Sequence, residues 1–84
     1  MKLVYFSWIR ERIGFSEEEV DLPDTVSTVS GLLTWLKSRG EAYETALQHD
    51  GVVRVALNHE HVADRAASLA GVREVALFPP MTGG

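Results

Sequence analysis

Apolar residues alternate along four stretches of the chain and recur at helical spacing along one. Lys2 to Trp8 is rich in strand formers, and alternation sets Leu3, Tyr5 and Ser7 on one face and Val4, Phe6 and Trp8 on the other. Both faces are largely apolar, so one can pack on a helix while the other must be covered or left as an adhesive patch. Ile9 to Gly14 fits one helical turn or a tight connection closed by Gly14. Ser16 to Leu22 alternates weakly, ends at Pro23 and can return antiparallel to the first strand. Its run Glu17-Glu18-Glu19 reads as a solvated strand edge, where charge discourages edge-to-edge pairing. A helix is predicted over Ser27–Arg39. Ser27 or Thr28 offers the N-cap, Val29, Leu32, Leu33 and Leu36 form the apolar stripe, and Gly40 offers a stop. Gly31 weakens the first turn by about 1 kcal/mol relative to alanine, and Trp35 flanks the stripe as a core or rim residue. Glu41 to Leu47 adds a short second helix with Tyr43 and Leu47 on one face.

Asp50-Gly51 marks a turn. Val52 to Leu57 is the second strong strand, with Val53, Val55 and Leu57 on one face and Val52, Arg54 and Ala56 on the other. Asn58-His59 turns the chain into a short strand at Glu60-His61-Val62. After a loop with Leu69 and Gly71, Arg73 to Phe78 is the last strand, Val75 and Leu77 facing away from Ala76 and Phe78. Hairpins therefore flank one crossover helix, which predicts an α+β domain with a mixed sheet and the main helix packed across one face. The first and last strands are the most apolar and are expected side by side at the centre as a parallel pair. That arrangement is the β-grasp, the ubiquitin-like fold.

With 84 residues the chain is read as a single domain, 1–84. The net charge of −4 argues against a nucleic-acid partner, which requires a basic face. No apolar run approaches the roughly 20 residues of a membrane span. The apolar N-terminus is too short for a secretory signal and lacks a small-residue cleavage site, so the expected location is the cytoplasm, away from membranes. The absence of cysteine removes any thiol nucleophile or zinc–thiolate site. His59 and His61, two apart in a hairpin, could share a face toward a metal, but no third ligand is evident and no metal site is expected. No Ser/His/Asp spacing marks a triad, and no glycine-rich phosphate loop is present. Arg10 and Arg12, flanking Glu11, read as surface or as the polar rim of a partner contact.

The chemically distinctive stretch is Phe78-Pro79-Pro80-Met81-Thr82-Gly83-Gly84. Two prolines favour an extended, stiff exit from the globular body. Two glycines then make a thin end that fits a narrow channel in another protein. Residues 79–84 are expected as a flexible tail, with the Gly84 carboxylate open to activation by a second enzyme. A frayed terminus explains Gly83 and Gly84 alone, but it explains the seven residues together much less well.

Lys2-Leu3-Val4-Tyr5-Phe6 with Ile9-Arg10-Glu11 and Gly14, then Val55-Ala56-Leu57-Asn58, then Glu74-Val75-Ala76-Leu77-Phe78-Pro79-Pro80-Met81-Thr82-Gly83-Gly84, resembles the small subunit of molybdopterin synthase, the MoaD family. The resemblance spans the chain, and the Phe-Pro-Pro-x-x-Gly-Gly ending is its most specific part. Two departures are Ala70-Gly71-Val72-Arg73-Glu74, where the family often has an acidic turn, and His61, where an apolar residue or tyrosine is common.

The resemblance implies a sulfur carrier that holds no cofactor of its own. An E1-like, MoeB-like enzyme would use ATP to adenylate Gly84, sulfur would displace AMP to leave a thiocarboxylate, and the tail would enter a MoaE-like large subunit. There the sulfur would pass to cyclic pyranopterin monophosphate, building the dithiolene of the molybdenum cofactor. The chain would be the sulfur-donating, non-catalytic subunit of a heterotetramer of two small and two large subunits. Gly84 would be the covalent site and Gly83 its neighbour. Phe6, His61, Phe78, Pro79, Pro80, Met81 and Thr82 would contact the partner, with Phe6 and Phe78 at the centre of the sheet face opposite the helix. A ThiS-like carrier of the thiamin pathway and a ubiquitin-like protein modifier share the fold and the glycine end and remain alternatives, as does a plain interaction module.

Overall fold

The computed structural model describes residues 1–80. β1 (Lys2–Tyr5) and β5 (Glu74–Phe78) lie parallel at the sheet centre, with Lys2 to Tyr5 opposite Glu74 to Leu77. β2 (Glu17–Glu19) runs antiparallel to β1 on one edge. On the other side β3 (Arg54–Leu57) pairs antiparallel with β5, and β4 (Glu60–Val62) pairs antiparallel with β3. The strand order is β2-β1-β5-β3-β4. This is the expected β-grasp, with the central parallel pair where strand hydrophobicity placed it.

The core fills one face of this sheet. Leu3 and Tyr5 of β1, Val55 and Leu57 of β3, and Val75 and Leu77 of β5 point the same way and are buried. α2 (Val29–Lys37) lays Val29, Leu32, Leu33 and Leu36 against them, with Val29 and Leu36 only 1% and 0% exposed. Each such side chain contributes about 1.5–3 kcal/mol relative to an exposed position. Thr28 is the N-cap, and its hydroxyl oxygen accepts from the Gly31 N–H at 3.1 Å. A Cβ on residue 31 would stand 3.3 Å from that same oxygen. The glycine that weakens helix propensity therefore leaves room for the cap. α2 stops at Lys37, two residues short of the predicted end, with Ser38 as C-cap. Gly40 does not close it but precedes α3 (Glu41–Ala46), after which Leu47 is fully buried.

Two further expectations from the sequence are corrected. β1 ends at Tyr5, not Trp8, and Ser7–Ile13 forms a helix, α1. Alternation of Val4, Phe6 and Trp8 gave no sign of the break. The turn occurs at Ser7, whose φ is 54°. It lets Ile9 and Ile13, four apart on α1, enter the core at 0% and 7% exposure while α1 packs on α3. Gly14 closes α1 as expected, with φ 107° and its N–H donating to the Arg10 carbonyl at 2.8 Å.

The second correction concerns Glu17-Glu18-Glu19. Glu17 and Glu19 are exposed, but Glu18 faces the core side and gathers three donors. The Tyr5 hydroxyl donates to it at 2.6 Å, the Tyr43 hydroxyl at 2.7 Å and the Arg39 guanidinium at 2.9 Å. Arg39 in turn lies over the rings of Trp35 and Tyr43 at 5.0 and 4.9 Å. One carboxylate thus ties β2 to β1, to the turn between α2 and α3, and to α3. Partial burial alone would raise the Glu18 pKa, but the three hydrogen bonds outweigh it and hold the carboxyl below its ordinary value of 4.5. Burial and the same carboxylate push the Tyr43 hydroxyl up to about 12.

Because the folded-state Glu18 pKa is depressed, its contribution is complete above the ordinary carboxyl range and is lost as pH falls through the lower folded value. Glu18→Gln is expected to cost about 2 kcal/mol at neutral pH. The gap to the parent should close in acid. Denaturant melts of both proteins between pH 7 and pH 3 measure it, and a gap that stays constant across that range would refute the assignment.

Candidate functional site

The sheet face away from α2 carries the alternate residues of the central strands. Register places Glu17, Val4, Ala76, Ala56 and His61 in one row across all five strands. In the next row Phe78 lies opposite Arg54, and the Phe6 N–H donates to the Leu77 carbonyl at 3.1 Å, carrying the β1–β5 ladder one residue past β1. Phe6 and Phe78 therefore stand side by side on the open face, while Tyr5 and Leu77, their chain neighbours, are buried in the core at 1% and 0% exposure. The Phe6 side is strongly exposed, at 47%. The His61 ring tilts against that of Phe78, centroid to centroid 5.9 Å. Pro79 and Pro80 line the same depression as Phe6, Ala76 and Phe78.

The face has two ends. Phe6, His61, Phe78 and the prolines make an aromatic end, and Val4, Ala56 and Ala76 make a low middle. At the other end Lys2 reaches Glu17 at 2.9 Å and Glu74 at 3.8 Å, and His59 Nδ1 lies 3.4 Å from Glu74. The hydrogen bond to Glu17 raises the Lys2 pKa. An apolar centre with a charged margin is the anatomy of a protein–protein contact. β5 runs through this face and leaves it at the aromatic end, where Pro79 and Pro80 follow.

The structure thus brings together Phe6, His61, Phe78, Pro79 and Pro80 of the residues singled out in the sequence. Met81, Thr82, Gly83 and Gly84 lie outside the described residues. His59 and His61 are drawn to different neighbours, Glu74 and Phe78. Among the described residues no group of three or more His, Asp or Glu gathers around a common point suited to a metal ion, and no helix is long and apolar enough to cross a membrane. Sequence reasoning missed Ser7, which lines the depression, and the Glu74 link between Lys2 and His59.

The hairpin behind His61 is held by Asn58. Asn58 and His59 both take positive φ, 49° and 71°, as a two-residue turn of this hand requires. The Asn58 side-chain oxygen accepts from the N–H groups of Arg73 and Glu74 at 2.8 and 3.1 Å. Its own N–H donates to the Glu74 carbonyl at 2.8 Å. One side chain thereby ties the β3–β4 turn to the start of β5.

The model of the family described as the ThiS family matches residues 3–84. The chain belongs to the ThiS family. Within that family it is MoaD-like. The molybdopterin synthase sulfur carrier subunit of Escherichia coli is 34% identical over 86 residues, spanning 100% of this chain and 99% of that protein. The subunit of the same description from Haemophilus influenzae is 31% identical over 84 residues, with the same coverage. Among solved structures, a putative molybdopterin converting factor subunit 1 from Pyrococcus furiosus superposes with a TM-score of 0.72 at 26% identity, covering 95% of each chain. SAMP1, small archaeal modifier protein 1, from Haloferax volcanii superposes at 0.69 with 30% identity, covering 100% of this chain and 98% of its own. The ThiS-family match runs through both glycines and includes every residue of the open face except Lys2.

Asn58→Ala is expected to cost about 2 kcal/mol, since it removes the two bonds to the Arg73 and Glu74 N–H groups and a longer third, from Asn58 Nδ2 to the Gly71 carbonyl at 3.4 Å, and puts a less tolerant residue at positive φ. A thermal melt checks this, and an unchanged midpoint would contradict the role given to Asn58.

Proposed function

We propose that this chain is the sulfur-carrier subunit of a molybdopterin synthase. The observation that carries the reading is the end-to-end likeness to two sulfur carrier subunits of that enzyme, through a family match that extends to Gly84. The open aromatic face supports it, because a carrier must dock before its end can be delivered.

In this reading an E1-like adenylating enzyme first binds the chain in the cytoplasm. A Gly84 carboxylate oxygen attacks the α-phosphorus of ATP and pyrophosphate leaves. A sulfide-level sulfur nucleophile then attacks the acyl carbon and AMP leaves with the electrons of the C–O bond, so that Gly84 carries a thiocarboxylate. A carboxylate is a poor acyl donor and adenylate is a good leaving group, which is why activation precedes sulfur entry. The large synthase subunit then receives the aromatic end of the sheet. Phe6 and Phe78 act as anchors, and Pro79-Pro80 aim the tail so that its sulfur reaches the cyclic pyranopterin monophosphate. Gly83 keeps the approach narrow, and Met81 and Thr82 span the distance from the prolines. Two carriers and two large subunits make the assembly.

A second reading is favoured by the likeness to the Haloferax volcanii modifier protein. The same acyl-adenylate would pass to a lysine amine and form an isopeptide bond at Gly84. The two outcomes differ in mass, since a thiocarboxylate exchanges one oxygen for sulfur and a conjugate adds a whole protein.

Phe78→Ala is expected to weaken binding to the large subunit by about 2 kcal/mol, the usual cost of truncating an aromatic anchor, with the fold intact. Equal affinities in a calorimetric titration would remove Phe78 from the interface. Deleting Gly84 is expected to abolish sulfur loading and molybdopterin formation with little change in thermal stability. The assay contains activating enzyme, ATP, a sulfur donor, large subunit and pterin precursor, read by intact mass and product. Sulfur gain by the deletion at the parent's rate would overturn the carrier reading, and lysine conjugates without thiocarboxylate would replace it with the modifier reading.

A further inference from the structure

We propose that Ser7 is a positioning residue for partner docking: its left-handed backbone turns the chain off the sheet directly after Phe6 and so fixes the Phe6 ring beside Phe78. The proposal rests on the docking role given above to the open face. Among the described residues three that are not glycine have positive φ: Ser7, Asn58 and His59. The last two form a tight hairpin turn, where such angles are required. Ser7 is in no hairpin. At its φ of 54° the Cβ crowds the neighbouring carbonyl, and α1 begins without a side-chain cap hydrogen bond to offset the strain.

The strained step sets the position of the residue before it. Phe6 itself is ordinary extended backbone, φ −124° and ψ 154°. Its N–H belongs to the sheet, donating to the Leu77 carbonyl at 3.1 Å, and its carbonyl belongs to α1, accepting from the N–H groups of Ile9 and Arg10 at 3.2 and 3.4 Å. Phe6 is clamped on both sides, and its exposed ring is held in the depression that Ser7 and Phe78 also line. If residue 7 stayed in the β region the strand would run on, and the amide and carbonyl of Phe6 could not serve two elements at once. Backbone strain retained beside an exposed aromatic anchor is the pattern expected where geometry serves recognition.

Ser7 could instead serve only to bring Ile9 and Ile13 into the core, and a mutant cycle separates the two roles. Ser7→Gly takes the same φ without cost and is expected to melt higher than the parent and to bind the large synthase subunit within about twofold of it. Ser7→Val is expected to bind about tenfold more weakly, and Ser7→Thr, the β-branched variant to use if valine prevents folding, by a smaller factor. In a Phe6→Ala background these losses should vanish, because the residue being positioned is gone. Parent-like binding by a folded Ser7→Val protein, or a loss that persists undiminished without Phe6, overturns the proposal. If the parent itself does not bind the large subunit, the functional reading fails, and the positioning claim is decided in the free protein. Nuclear Overhauser contacts from the Phe6 ring to Ala76 and Phe78 should then be present in the parent and Ser7→Gly and lost in Ser7→Thr or Ser7→Val. Their survival in both of those variants overturns it.

Discussion

Everything in this molecule depends on the parallel pairing of β1 with β5. The Lys2 N–H donates to the Arg73 carbonyl at 2.9 Å at one end of the pair, and the Phe6 N–H donates to the Leu77 carbonyl at 3.1 Å at the other. Because the two strands are far apart in the chain, the intervening residues must cross over and return. α2 makes that crossing and β3 flanks the pair on its second side. The alternation of side chains gives the same two strands two duties. Leu3, Tyr5, Val75 and Leu77 hold the core, and Val4, Phe6, Ala76 and Phe78 make the open face. The face therefore inherits the rigidity of the core, since a shift of one would displace the other.

Polar contacts close the opposite side of the molecule. Glu18 joins β2, β1, the turn between α2 and α3, and α3 itself through three donors, with Arg39 stacked on two rings above it. Lys37 meets Asp50 at 2.7 Å, and Arg65 donates to the Asp50 and Val53 carbonyls at 2.9 and 2.6 Å, pinning the segment before β3 to the loop after β4. These ties restrain the short elements, which carry too little apolar surface to be held by burial alone.

The sequence made the sheet legible because one side of it is buried. Val53, Val55 and Leu57, like Val75 and Leu77, can face the core in only one register, so alternation predicts both the strands and the exposed partners Ala76 and Phe78. The stripe of α2 was readable for the same reason. The end of β1 was not, since Phe6 and Trp8 continue the alternation and the break lies in one backbone angle that serine does not advertise. Nor could composition separate Glu18 from its identical neighbours. Only the register opposite Leu3 turns it toward Tyr5, Tyr43 and Arg39. For the site, the aromatic pair followed from strand alternation. The charged end did not, because the approach of Lys2, Glu74 and His59 is set by pairing between strands remote in sequence.

The central placement of β5 has a mechanical consequence. Because β1 and β5 run the same way, a pull between the start of β1 and the end of β5 would draw the two strands past each other. The hydrogen bonds of the pair would be loaded together, in shear, and not opened one after another. A partner that grips the segment beyond Pro80 while the start of β1 is held would therefore load this pair first. Tension there would be borne by the whole ladder before it could disturb α2 or the core.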